Sequence, residues 1–125
     1  MRVCDRDQTA RLLDFPGLVD ELSRAAFEFQ AGTILSPERM VVPFGQGGVL
    51  LSMPATAPDI AIHKLVNVQP ANAKLNLPTI NGTVTVCDGA TGRLQCVLDG
   101  PEVTGRRTAG ITLLAIRALL GREPR

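Results

Sequence analysis

The chain reads as one α+β domain: N-terminal helices, a mixed or antiparallel sheet of about five or six strands, then a C-terminal helix. Three observations predict this. Apolar residues recur at helical spacing near both ends, the middle is a series of short β-branched runs broken by turn residues, and 125 residues give enough chain for one core. Helical and extended segments are segregated along the chain, which favours an α+β arrangement over alternating βαβ units.

Residues 7–13 are expected to form a short first helix, with Asp7 as its cap. Asp14 can cap and Pro16 can open a second helix reaching about Ala31, with Gly32 as its stop. Leu18, Leu22, Ala25, Ala26 and Phe29 give that helix an apolar face. Strands follow at 39–44 and 49–53, flanking the turn Gly45-Gln46-Gly47-Gly48, and at 60–68. After an irregular stretch at 69–78, strands at 83–88 and 93–99 are joined by the four-residue turn Gly89-Ala90-Thr91-Gly92. That register sets Cys87 opposite Leu94 and Cys96 opposite Thr85, as diagonal neighbours on one face. The last helix is expected from about Gly105 to Leu120, with Ile111, Leu114, Ala115 and Ala118 as its core stripe and Gly121 as its stop.

Composition narrows the functional classes. Net charge is +1, and Trp and Tyr are absent, which removes any global case for nucleic acid. Residues 1–62 hold 5 Lys/Arg against 8 Asp/Glu, and residues 63–125 hold 8 against 4, a local basic bias only. No apolar run approaches the roughly 18 residues of a membrane span, and the N-terminus leads into no signal-peptide core. Three cysteines without metal-type spacing are expected to be reduced structural thiols, in a cytoplasmic protein. One histidine, His63, makes neither a metal site nor a catalytic triad, so no metal is expected.

The turn G-Q-G-G-V-L lies between two strands and lacks the last glycine of a dinucleotide fingerprint, so a hairpin is the better reading. Three cations stand out instead. Lys64 interrupts the aliphatic row Ile60, Ile62, Val66, Val68 on one strand face, and must snorkel, pair or meet a ligand. With Thr104 as N-cap, Arg106 and Arg107 fall at the second and third helical positions, beside free N–H groups suited to a carboxylate or phosphate. The alternative is a pair of solvated arginines near Glu102 or Asp99. Only one of the two should face a site, because successive helix positions diverge by about 100°. Arg39 opens the first strand.

Five segments resemble the ornithine cyclodeaminase/mu-crystallin family: P-E-R-M-V-V-P (37–43), L-L-S-M-P-A (50–55), H-K-L-V-N-V-Q-P-A-N (63–72), L-P-T-I-N-G-T-V-T-V-C-D-G-A-T-G (77–92) and L-D-G-P-E-V-T-G-R-R-T-A-G (98–110). The wording is most similar to the family's bacterial Δ1-pyrroline-2-carboxylate (proline ketimine) reductases. The resemblance implies reduction of a cyclic imino acid, Δ1-pyrroline-2-carboxylate or Δ1-piperideine-2-carboxylate, to L-proline or L-pipecolate with NADPH or NADH. It implies a substrate-carboxylate clamp of Arg39, Lys64 and Arg107, with Arg106 facing solvent. It also implies a homodimer, paired through the sheet.

Members of the family carry a Rossmann domain after the R-T-A helix, which supplies the dinucleotide loop and a catalytic aspartate. Here residues 121–125 stand where that domain should begin. The expectation is a single substrate-binding and dimerisation domain, 1–125, truncated relative to the family, inactive alone and holding no nicotinamide tightly by itself. Two alternatives stay open: the corresponding half of an ornithine cyclodeaminase, and a non-catalytic carboxylate-binding or dimerisation module.

Overall fold

The computed structural model describes residues 1–121 of the chain, so all but Gly121 of the stretch 121–125, where the family's next domain would begin, lies outside the described residues. Its elements are β1 (Arg2–Val3), α1 (Arg6–Leu12), α2 (Phe15–Gln30), β2 (Met40–Phe44), β3 (Gly48–Thr56), β4 (Ile60–Val68), a 3-10 turn (Pro70–Leu75), β5 (Ile80–Asp88), β6 (Leu94–Asp99) and α3 (Gly100–Leu120). The α+β class holds. Six strands form one sheet in the order β1-β6-β5-β4-β3-β2. All neighbours are antiparallel except β1, which runs parallel to β6.

Helix starts follow side-chain acceptors. Asp5, not Asp7, caps α1: its carboxylate accepts from the Gln8 N–H at 2.8 Å, and Gln8 returns a bond to the Asp5 N–H at 3.1 Å. This reciprocal box satisfies two of the helix's orphan donors. Asp14 caps α2 as expected, accepting from Gly17 at 3.1 Å, a contact worth about 1 kcal/mol.

The closing helix departs most from expectation. It begins at Gly100, because Asp99, the last residue of β6, is itself the N-cap and accepts from Glu102 N–H at 2.7 Å. Strand and helix are therefore joined without a loop. The junction is tight enough that a Cβ on Gly100 would lie 2.6 Å from the Gly82 carbonyl carbon. The core stripe is also rotated. Gly110 is buried against Leu22 of α2, while Ile111, Ala115 and Ala118 are exposed and only Leu114 of the expected stripe is half-buried. Lacking a side chain, Gly110 lets the two helices approach closely, so the contact line runs through it. Arg117 adds a bond to Asp20 of α2 at 2.8 Å.

Helix α3 packs against β4, β5 and β6, and also holds α1 and α2. The best-buried strand residues, Val66 and Val84, lie on the sheet face towards α3. On the other face Ser52 Oγ and His63 Nε2 share a 2.8 Å hydrogen bond. At the sheet edge β2 is exposed along its whole length, including Met40, Val42 and Phe44.

One register expectation fails. Cys87 does pair with Leu94, but Cys96 pairs with Val86 rather than Thr85, across a bulge between Val86 and Cys87. The unpaired residue in β6 shifts everything beyond it by one place, which puts the two cysteines on opposite faces. All three cysteines are free. Among the described residues, no helix is long and apolar enough to cross a membrane.

Candidate functional site

Each of the three singled-out cations is positioned by a different element. Arg39 is carried by the segment before β2. That segment is pinned where Leu35 and Thr56 exchange backbone hydrogen bonds of 2.8 and 2.9 Å across an isolated bridge. Lys64 stands in the middle of β4, opposite Met53 of β3 and Val84 of β5. Arg107 sits about two turns into α3, where the helix crosses the sheet. The three line a single cavity of about 600 Å³. Leu51, Met53, Val66, Val68 and Ile80 give it an apolar wall, and Glu38 and Thr104 add polar groups.

The electrostatics follow from this convergence. Lys64 is half-buried, and its ammonium is disfavoured first by burial, then by the Arg107 charge, then by that of Arg39, so its pKa lies below the ordinary 10.5. Among the described residues Lys64 has no hydrogen bond or ion pair. An arriving anion relieves that repulsion, and guanidinium forks match a carboxylate in shape.

Arg106 has a different role from the expected solvated one. Its Nε donates to Glu102 at 2.7 Å, its guanidinium donates to the Leu13 carbonyl at 3.1 Å, and it stacks 4.9 Å above the Phe15 ring. Glu102 accepts a further bond from Arg6 at 3.1 Å. The expected help from the helix start is also absent. The start of α3 lies at Gly100, not beside Arg107, and there Pro101 has no N–H and the Glu102 N–H is taken by the Asp99 carboxylate. The anion-receptive character of the cavity therefore rests on side chains.

Sequence reasoning found Val66 and Val68 of the apolar wall but missed Leu51, Met53 and Ile80, and it missed Glu38. Leu51 and Met53 share a face of β3 by simple alternation, and Glu38 is the neighbour of Arg39, so both signals were present. The glycine-rich turn at 45–48 does not offer a nicotinamide dinucleotide a phosphate cradle. It closes the β2–β3 hairpin, with Gln46 and Gly47 at φ 57° and 75°, and no helix follows it to receive a pyrophosphate.

Fold and site together define a class: a six-stranded α+β domain with a cation-lined, apolar-walled cavity between sheet and closing helix. The chain belongs to the ornithine cyclodeaminase/mu-crystallin family, whose profile matches residues 3–123. It is 57% identical over 119 residues to Delta(1)-pyrroline-2-carboxylate reductase 1 of Burkholderia multivorans, covering 95% of this chain and 38% of that protein. It is 54% identical over 123 residues to the Delta(1)-pyrroline-2-carboxylate/Delta(1)-piperideine-2-carboxylate reductase of Azospirillum brasilense, covering 98% of this chain and 40% of that protein. The chain thus spans well under half the length of these relatives. The fold is shared with Thermococcus litoralis Delta(1)-pyrroline-2-carboxylate reductase, solved in complex with NADH and L-proline: TM-score 0.86, 23% identity, 94% of this chain and 37% of that one.

Proposed function

We propose that this chain is the substrate-binding and dimerisation part of an NAD(P)H-dependent ketimine reductase. Such an enzyme converts Δ1-pyrroline-2-carboxylate or Δ1-piperideine-2-carboxylate to L-proline or L-pipecolate. The observation that carries the reading is the meeting of Arg39, Lys64 and Arg107 in one cavity of about 600 Å³ with an apolar wall. A small cyclic imino acid has a carboxylate for the cations and a hydrocarbon ring for Met53, Val66 and Ile80. The names and high identity of the Burkholderia and Azospirillum relatives support the same substrate class, and the proline-bound Thermococcus protein supports an amino-acid product.

The chain's own residues would bind and orient. Arg39 and Arg107 grip the carboxylate, Lys64 adds charge from the sheet floor, and the apolar wall excludes water from one side of the ring. A bound nicotinamide would supply the hydride; the residues named here would only hold the acceptor, and on this reading they are inactive by themselves. A second copy fits the helix-free side of the sheet, where Met40, Val42 and Phe44 of the edge strand are exposed. The cytoplasm is the expected compartment.

The test is direct. Pyrrole-2-carboxylate or L-proline is titrated into the purified chain by calorimetry, and binding should be lost in Arg107→Ala. Undiminished binding in that variant would remove the clamp. Oxidation of NADPH by the chain alone with Δ1-pyrroline-2-carboxylate would overturn the inactive-part reading.

A further inference from the structure

We propose that Lys64 is a reactive amine that captures 2-oxo acids as imines, with the acid's carboxylate held between Arg39 and Arg107. The proposal rests on the carboxylate site described above but assigns its lysine a covalent chemistry that reduction of a ketimine does not require.

The cavity carries more cations than one carboxylate can use. Two guanidinium forks suffice for its two oxygens, which leaves the Lys64 ammonium without an obligatory partner. Lys64 has no hydrogen bond or ion pair among the described residues. Met53 and Val84 flank it on the neighbouring strands, and Ile62 and Val66 on its own. The charged groups facing it are Arg39 and Arg107, which repel its proton, and Glu38 on the same cavity wall. Desolvation by an apolar wall and adjacent cations are the two standard ways to keep a lysine amine neutral and nucleophilic. Both act on Lys64 in the same direction in the empty cavity, and when a bound carboxylate offsets the two arginines, burial, the larger cause, still favours the neutral amine.

The chemistry balances without an added reactant. The ammonium first releases a proton to the solvent at the open rim. The neutral Nζ attacks the carbonyl carbon at position 2 of the acid, forming a C–N bond while the C=O π electrons move to oxygen. Proton transfer from nitrogen to oxygen gives a carbinolamine, which loses one water to leave the imine. Nothing is oxidised or reduced. The carboxylate on the adjacent carbon, once gripped by Arg39 and Arg107, holds that carbonyl within reach of the strand below, so the attack is effectively intramolecular.

The sequence provides its own control, because it holds only two lysines, Lys64 and the exposed Lys74. The purified chain is incubated at neutral pH with pyruvate and sodium cyanoborohydride, which reduces any imine to a stable secondary amine, and adducts are mapped by peptide mass spectrometry. Labelling at Lys64 should exceed that at Lys74 by about tenfold or more. Replacing pyruvate with acetone, which has the carbonyl but no carboxylate, should abolish the preference, as should Arg107→Ala. Binding of pyrrole-2-carboxylate is measured alongside. Equal labelling of the two lysines, or an unlabelled Lys64 in a chain that binds pyrrole-2-carboxylate, overturns this proposal and leaves the carboxylate site standing. Failure of both binding and labelling removes both. A Lys64 preference that persists with acetone overturns the anchoring by the arginines.

Discussion

Arg106 and Arg107 are sequence neighbours with the same side chain, and the fold uses them for opposite purposes. Arg106 is fully engaged: a carboxylate, a backbone carbonyl and an aromatic ring take up its guanidinium, tying α3 to α1 and to the start of α2. Arg107 projects into a cavity beside two other cations. The difference comes from helix phase alone. A side chain's role in this chain is set less by its identity than by the position at which the helix begins, and that position is Asp99.

The strongest way to break the pair is therefore at the junction. A methyl on Gly100 would lie 2.6 Å from the Gly82 carbonyl carbon and 2.8 Å from the Thr83 nitrogen, both backbone atoms that cannot rotate away. We expect Gly100→Ala to cost about 3 kcal/mol in denaturant unfolding. A loss under about 0.5 kcal/mol would mean that strand and helix are not rigidly joined. By contrast Gly105→Ala, with nothing within 4 Å of the added Cβ, should be neutral or mildly stabilising.

This junction also shows what the sequence concealed. D-G-P-E contains a cap, a proline at the second helical position and a first-turn acid, which together are a complete helix start. Glycine and proline together also signal a turn, and a reading by local punctuation takes them so, placing the helix start near Thr104. What decides is tertiary: Gly100 fits where Gly82 backs onto it. The same applies to Gly110, a breaker by propensity and a helix–helix contact in fact. Lys64 was legible because β-strand alternation is strict, and one charge among Ile62, Val66 and Val68 stands out. The meeting of Lys64 with Arg39 and Arg107 was not legible from spacing, since it depends on how three separate elements cross. The bulge that moved Cys96 has no local signature at all.

Next in size, the two arginines should separate ligand affinity from stability. Arg107→Ala should weaken pyrrole-2-carboxylate binding by about 10- to 100-fold, the value of a lost charge-assisted hydrogen bond, while changing the unfolding midpoint little. Arg106→Ala should do the reverse, costing about 1–2 kcal/mol of stability with affinity nearly unchanged. Equal effects of both variants on both measurements would erase the distinction between the neighbours.

A smaller effect is expected in acid. The Arg106 hydrogen bond first, and that of Arg6 second, hold the Glu102 carboxyl below its ordinary 4.5. A depressed folded pKa means the contribution is present above the unfolded value and lost as pH falls through the folded one. Thermal stability should therefore decline below about pH 4. Asp88, held down by the Thr91 hydroxyl and then the Thr91 N–H, adds to the decline from the β5–β6 turn. In Glu102→Gln the decline should be shallower, and the variant should fall below the native chain at neutral pH. An identical acid limb in the two proteins would show that the Arg106 network carries no charge-dependent stability.

The smallest effect has the opposite sign and belongs to Lys64. Its pKa is lowered in the fold, so between that depressed value and 10.5 the unfolded chain binds more protons than the folded one. Stability therefore rises with pH through that window, and below it the folded state bears the full penalty of a charged amine beside two arginines. Lys64→Met keeps the apolar stem and removes the charge. Half-exposure limits the gain to about 0.5–1 kcal/mol at neutral pH, read as a small rise in Tm. The gap should narrow as the native lysine loses its proton in alkali. Carboxylate binding should weaken in the same variant that gains stability, because the repulsion that strains the empty cavity is what an anion relieves. A destabilised Lys64→Met with a pH-independent gap would mean that the lysine is held by interactions other than those of Arg39 and Arg107, and that the cavity does not store charge for a ligand.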